Sequence, residues 1–236
     1  MTSSLAFVVI PGLLLAALVF ATVAAWTKSG ASWNTTVAVS FGVGIAAVAW
    51  METTWMFAER GTFQKWTSTP PPFALLVLSI VVIAAGIAFS ELGRRLVLFI
   101  PLWIHVAVQS FRLPLELAMH DMYERGVMPR EMSYSGRNVD IVTGATAIVV
   151  AVLVATGRGG TKLLAAWNSM GFALLINVVI VAILGTPRFR YFGDERLNTW
   201  VADPPYVWLP AVMVLAALAG HLMIFRALGV EKAGQR

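Results

Sequence analysis

The chain has 236 residues, of which 58% are hydrophobic and only 12% charged, against about 25% charged in a soluble domain. That balance excludes a water-solvated globule and makes the lipid bilayer the expected partner. The net charge of +5 is spread through the loops, which excludes the concentrated basic face that nucleic acid requires. With no cysteine, disulfides, iron–sulfur clusters, cysteine-ligated zinc and thiol catalysis are excluded together.

Apolar runs of membrane-crossing length, roughly 20 residues each, predict seven spans in one transmembrane helical domain over residues 1–236. In chain order they are Leu5–Trp26, Asn34–Phe57, Phe73–Phe89, Leu96–Leu117, Val139–Thr156, Leu163–Leu184 and Val207–Ala227. Met1–Ser4 lacks the basic residues that begin a signal peptide, so the first run is expected to be an uncleaved helix. The expected fold is therefore all-α, a polytopic bundle of about seven helices in a cell membrane, the bacterial inner membrane.

Orientation rests on loop charge. One side carries Lys28, Arg94, Arg95, Arg158, Lys162, Arg226, Lys232 and Arg236, with Glu91 and Glu231 its only acids. The other carries Arg60, Lys65, Arg125, Arg130, Arg137, Arg188, Arg190 and Arg196. The counts tie, but the first set occupies short loops, where positive charge biases insertion most. The N-terminus is accordingly expected outside and the C-terminus in the cytoplasm.

The fourth run concentrates the polar groups. His105, Gln109, Arg112, Glu116 and His120 are four, three, four and four residues apart, which places them within roughly 80° of arc on one helix face. Charge within a span is costly in lipid, so the stripe is expected to face the bundle interior, with Arg112 and Glu116 paired one turn apart. Pro114, between them, removes a backbone donor and can bend the helix. Two readings stand side by side: polar glue between helices, or a site for a ligand. Glu52, between Trp50 and Trp55, and Asp140, at the start of the fifth run, lie at the same level, and helix capping is the plainer role for Asp140. Asn168 and Asn177 are expected to bond across helices. Trp200, Tyr206 and Trp208 read as interfacial anchors. His221 is expected to be a core histidine toward the cytoplasmic end, away from the stripe.

Motifs of other chemistries are absent or weak. Gly157-Arg-Gly-Gly-Thr-Lys162 lacks P-loop spacing and suits a short turn. No His-Glu-x-x-His helix and no Gly-x-Ser-x-Gly elbow occurs. The seventh run has no lysine for a retinal Schiff base.

Three stretches, Phe111-Arg-Leu-Pro-Leu-Glu116, Gly126-Val-Met-Pro-Arg-Glu-Met132 and Gly136-Arg-Asn-Val-Asp-Ile-Val-Thr-Gly144, carry a family resemblance. Trp167-Asn168, Leu174-Leu-Ile-Asn177, Pro205-Tyr-Val-Trp-Leu-Pro210 and His221 follow in order. Together they resemble a family of small bacterial multi-pass membrane proteins of uncharacterised function. The resemblance covers about half the chain, from the fourth run onward, and departs at Gln109, where the pattern has histidine. It implies a compact multi-helix fold and supplies no activity, substrate or cofactor.

The functional expectation is a small-ligand-binding membrane protein, transporter-like or receptor-like, with a polar site in the outer half of the bundle. Arg112, Glu116, Gln109, His120, Glu52, Asp140 and Asn177 are its candidate residues. Arg112 would hold an anionic or polar head, and Glu116 would orient it or exchange a proton. A membrane-embedded enzyme or redox or metal-binding protein, and a structural or accessory subunit of a membrane complex, are the alternatives. Neither a cofactor nor a protein partner can be named from the residues.

Overall fold

The computed structural model describes residues 3–234, with side chains from 4 to 229. Arg236 and the side chains of Glu231 and Lys232, counted above for orientation, lie outside the described residues. Among the described residues there is no β-strand. The α-helices are α1 (Ala6–Lys28), α2 (Trp33–Glu59), α3 (Pro72–Phe89), α4 (Glu91–Phe99), α5 (Leu102–Val108), α6 (Arg112–Glu124), α7 (Ile141–Ala155), α8 (Thr161–Leu184) and α9 (Leu215–Gly234).

Helix ends follow local chemistry. Ser32 caps α2 by accepting the Thr35 N–H at 3.2 Å, and Ser90 caps α4 by accepting that of Gly93 at 3.3 Å. Pro72 starts α3, where its missing N–H costs nothing. Pro210 stands near the start of a π-helical turn, Leu209–Val214, that runs into α9.

Among the described residues five helices are long and apolar enough to cross a membrane: α1, α2, α3, α8 and Leu209–Gly229. Counting the bent pair Glu91–Phe99 and Leu102–Glu124 as one span makes six. The remaining apolar helix, α7, has only 15 residues. Exposed Phe20, Phe41, Val82 and Val149 stud the outside of the bundle, an apolar surface suited to acyl chains and not to water.

The fourth predicted span needs correction. It is not one straight helix from Leu96, because the chain bends by 110° between α4 and α5. Pro101 forces the break: it pushes Ile100 into extended backbone (φ −100°, ψ 127°). His105 Nε2 lies 3.2 Å from the Leu96 carbonyl and ties the two arms together. Below the bend, Leu102–Glu124 continues as one helical rod, tightened to a 3₁₀ turn at Gln109–Phe111. Pro114 explains the tightening, since it has no N–H to give the carbonyl of Ser110, four residues back.

α6 packs against α7, and α8 against both α7 and α9. At Gly144 of α7 an added Cβ would overlap the backbone of Arg112 and Leu113. Glycine is what lets α7 approach α6 closely enough to bring Asp140 to Arg112. At one end of the bundle the long loops 125–140 and 185–208 fold inward. Met128, Met132, Trp200 and Val201 are buried there with Phe7, Met119 and Met122.

Trp200 is therefore core and not an interfacial anchor; its ring stands edge-on to Phe7 and Tyr206, with centroids 5.9 and 5.3 Å away. Trp208 is a clasp, donating its indole N–H to the Met51 carbonyl at 3.1 Å. Trp50 donates in return to Ala211, at 2.8 Å, and the two bonds fasten α2 to the start of α9.

Candidate functional site

Arg112, Glu116 and Gln109 point into the bundle, as their spacing predicts, and each is at most 2% exposed. Their partners differ from those expected. Arg112 is not paired with Glu116. Its Nη1 lies 3.2 Å from Oδ1 of Asp140 across the α6–α7 interface. The approach is close enough for charge but not aligned as a hydrogen bond, and Nε, Nη1 and Nη2 all lack an acceptor. A guanidinium carries five N–H donors, so burying it this way leaves unusually large hydrogen-bonding capacity unused.

Glu116 is held by Asn138, which donates Nδ2 to both carboxylate oxygens at 2.9 Å and to the Met132 carbonyl at 3.0 Å. Asn138 Oδ1 in turn accepts the backbone N–H of Asp140 at 3.1 Å. Asp140 occupies the capping position of α7 but makes no side-chain cap. Its Oδ1 instead accepts the Thr143 hydroxyl at 3.0 Å and faces Arg112. Capping is thus not its role. One loop residue, Asn138, fixes both carboxylates relative to the guanidinium.

The polar group extends further than the fourth span. His221 is fully buried, and its Nδ1 lies 2.7 Å from Oδ1 of Asn168. Asn168 Nδ2 donates to the His221 carbonyl at 3.1 Å, which fixes the amide orientation and makes Nδ1 the donor. His221 Nε2 has no partner. An added Cβ at Gly171 would lie 2.8 Å from both His221 Cε1 and Thr143 Cγ2. His221 therefore neighbours the Asp140–Thr143 pair and is not remote from the stripe.

The other candidates separate from this cluster. His120 is half-buried near the loop-rich end, where its Nδ1 lies 2.9 Å from the Ser133 hydroxyl and its ring stacks on Tyr134 at 4.3 Å. Asn177 donates to the Arg137 carbonyl at 2.8 Å, clamping the loop before α7 onto α8. Glu52 is exposed on α2, away from the buried cluster. His105 serves the bend. Asn138, Thr143, Asn168 and His221 join the site instead. Asn138 lay inside the motif Gly136–Gly144, yet an asparagine ahead of a span also suits an ordinary turn, so only proximity to Asp140 pointed to it.

Arg112, Glu116, Asn138 and Asp140 are among the residues around a cavity of about 300 Å³ between α3, α6, α8 and the start of α9, whose surface is almost wholly apolar. Phe73, Ile80, Leu115, Leu175, Met213 and Ala217 are among its apolar walls. Among the described residues no group of three or more His, Asp or Glu is arranged to hold a metal ion.

Fold and site together define a class: an all-α bundle whose long helices have the length and apolarity of membrane spans, enclosing a buried cluster of one arginine and two carboxyl groups. No family model, curated protein or solved structure matches the chain.

Proposed function

We propose that the chain is an integral membrane protein of seven spans that binds a small, largely apolar molecule through one polar head at Arg112. The observation that carries this reading is the Arg112 guanidinium, buried beside an apolar cavity with no hydrogen-bond acceptor for any of its nitrogens. A carboxylate or carbonyl head would supply acceptors in the geometry that arginine favours. The cavity volume lies at the lower end of the range for small-molecule sites, about 300–1,000 Å³. Asp140 and Asn138 orient Arg112 and Glu116, and an acid-headed ligand shares its proton with Glu116.

The seventh span is α7. At 1.5 Å per residue its 15 residues reach roughly 22 Å. The buried loop that holds Met128, Met132 and Asn138 supplies the remaining depth, since non-helical backbone is tolerated at membrane depth where protein covers it. The short-loop cations Lys28, Arg94, Arg95 and Arg158 favour the cytoplasm, with the N-terminus outside.

The test uses octanoate, octanol and octylammonium, added to the full chain in lipid nanodiscs. Octanoate is expected to raise the unfolding temperature with the logarithm of its concentration above Kd, a stabilisation of about 2.7 kcal/mol at a hundredfold excess. Arg112→Gln removes the effect, and octylammonium has none. Equal shifts from all three compounds would contradict the assignment of the head to Arg112.

A further inference from the structure

A second cavity, of about 660 Å³, lies across α9 from the first and shares no charged residue with it. Leu14 and Leu18 of α1, Ala47 of α2, Ile87 of α3, Leu96 of α4 and Leu215 near the start of α9 line it. The clasp of Trp50 and Trp208 holds α2 to the start of α9 near its loop-rich end. Along the rest of its length α2 packs on α1, and the cavity separates it from α3. Nearly all the lining is apolar, so water would find few partners there. Left empty, the walls would forfeit their dispersion contacts.

The opposite end of this cavity meets α4, turned 110° from the rod that follows it. Leu92 and Leu96 of α4 face the cavity, while Arg94 and Arg95 occupy neighbouring positions on the same short helix. Arg95 stacks over the Trp26 ring with Cζ 4.7 Å from its centroid. Lys28 Nζ reaches the Phe99 carbonyl at 3.4 Å, and Arg226 Nη1 reaches that of Ala88 at 2.7 Å. Four cations thus line α4, with Arg226 at its start, Arg94 and Arg95 within it and Lys28 at its end. Among the described residues Glu91, bonded to Arg94 at 2.6 Å and Arg95 at 2.7 Å, is the one carboxylate paired with them.

We propose that this cavity holds one acyl chain of an anionic phospholipid from the surrounding bilayer, with its phosphate head at Arg94 and Arg95. The chain enters between α2 and α3, where Ala46, Ala47 and Ile83 leave the wall low. An amphipathic helix lying near the membrane plane with basic residues is suited to a lipid headgroup. The site is independent of the one at Arg112.

The experiment is native mass spectrometry of the full chain released from nanodiscs containing equal amounts of phosphatidylglycerol and phosphatidylcholine. One phosphatidylglycerol is expected to stay bound, favoured about tenfold over phosphatidylcholine. Arg94→Gln with Arg95→Gln should remove the preference, Ala47→Phe should remove the bound lipid, and Arg112→Gln should change neither. Phosphatidylglycerol brominated midway along its chain should also quench Trp50, read as the difference between the unaltered chain and Trp50→Phe. That measurement does not depend on the folding of the cavity-filling variant. Equal retention of the two lipids, or absence of Trp50 quenching, would overturn the proposal. So would stabilisation by inorganic phosphate alone, which would make the basic group a site for the free anion.

Discussion

At the scale of single residues, the buried charge is the costly feature of this molecule. Taking an ion out of water costs several kcal/mol even after relaxation, and Arg112 recovers part of that chiefly through Asp140, 3.2 Å away, and less through Glu116. Asp140→Asn removes the counter-charge and is expected to cost about 3–5 kcal/mol. Arg112→Met combined with Asp140→Asn should recover most of that loss, measured as thermal or denaturant stability in one detergent. A double variant no more stable than Asp140→Asn would mean that Asp140 is not what compensates Arg112. The same contrast weighs helix glue against a ligand site, because glue predicts recovery with no ligand effect in any variant. Arg112, Glu116 and Gln109 were legible in the sequence because polar side chains stand out in an apolar helix at spacings of three and four. Their partners were not, since helical spacing shows which residues share a face but not what the facing helix presents. Glu52 misled for a related reason. An acid flanked by tryptophans reads alike whether it turns inward or outward, and α2 turns it outward.

At the scale of elements, hydropathy located α1, α2, α3, α8 and the span Leu209–Gly229 to within a few residues, because each is one unbroken apolar run. It failed at the bend between α4 and α5. The apolar run continues through Pro101, and an average over a window does not register one residue that forces extended backbone. The 3₁₀ turn ahead of Pro114 was legible only as a missing donor. The π-helical turn at Leu209–Val214 had no sequence signal beyond Pro210, although such turns often mark functional sites, and this one lines both cavities. The shortness of α7 makes its crossing the assignment most worth testing. Arg137 and Arg158, both exposed, flank it. In intact cells a cysteine at Arg137→Cys is expected to react with an impermeant reagent added outside, and one at Arg158→Cys to be protected until the membrane is opened. Labelling of both from the same side would remove α7 from the spans and leave six.

At the scale of the whole molecule, the bundle has two chambers that α9 divides. One lies beside buried charge and the other meets a basic helix at the opposite end. The inward-folded loops 125–140 and 185–208 cover the charged chamber with Met128, Met132, Trp200 and Val201. That cover keeps water from the guanidinium and makes an unpaired arginine expensive. A buried cation with spare donors, set beside an apolar chamber, is stable only where something completes its hydrogen bonds. The most direct test is a density map of the full chain, mildly extracted into lipid nanodiscs and imaged without added ligand or with octanoate. The expected map shows non-protein density along the chamber between α3, α6, α8 and the start of α9, its polar end within hydrogen-bond distance of the Arg112 guanidinium. A chamber collapsed onto its own side chains, with protein groups accepting from every Arg112 nitrogen in both samples, would contradict it and leave the charge cluster as helix packing.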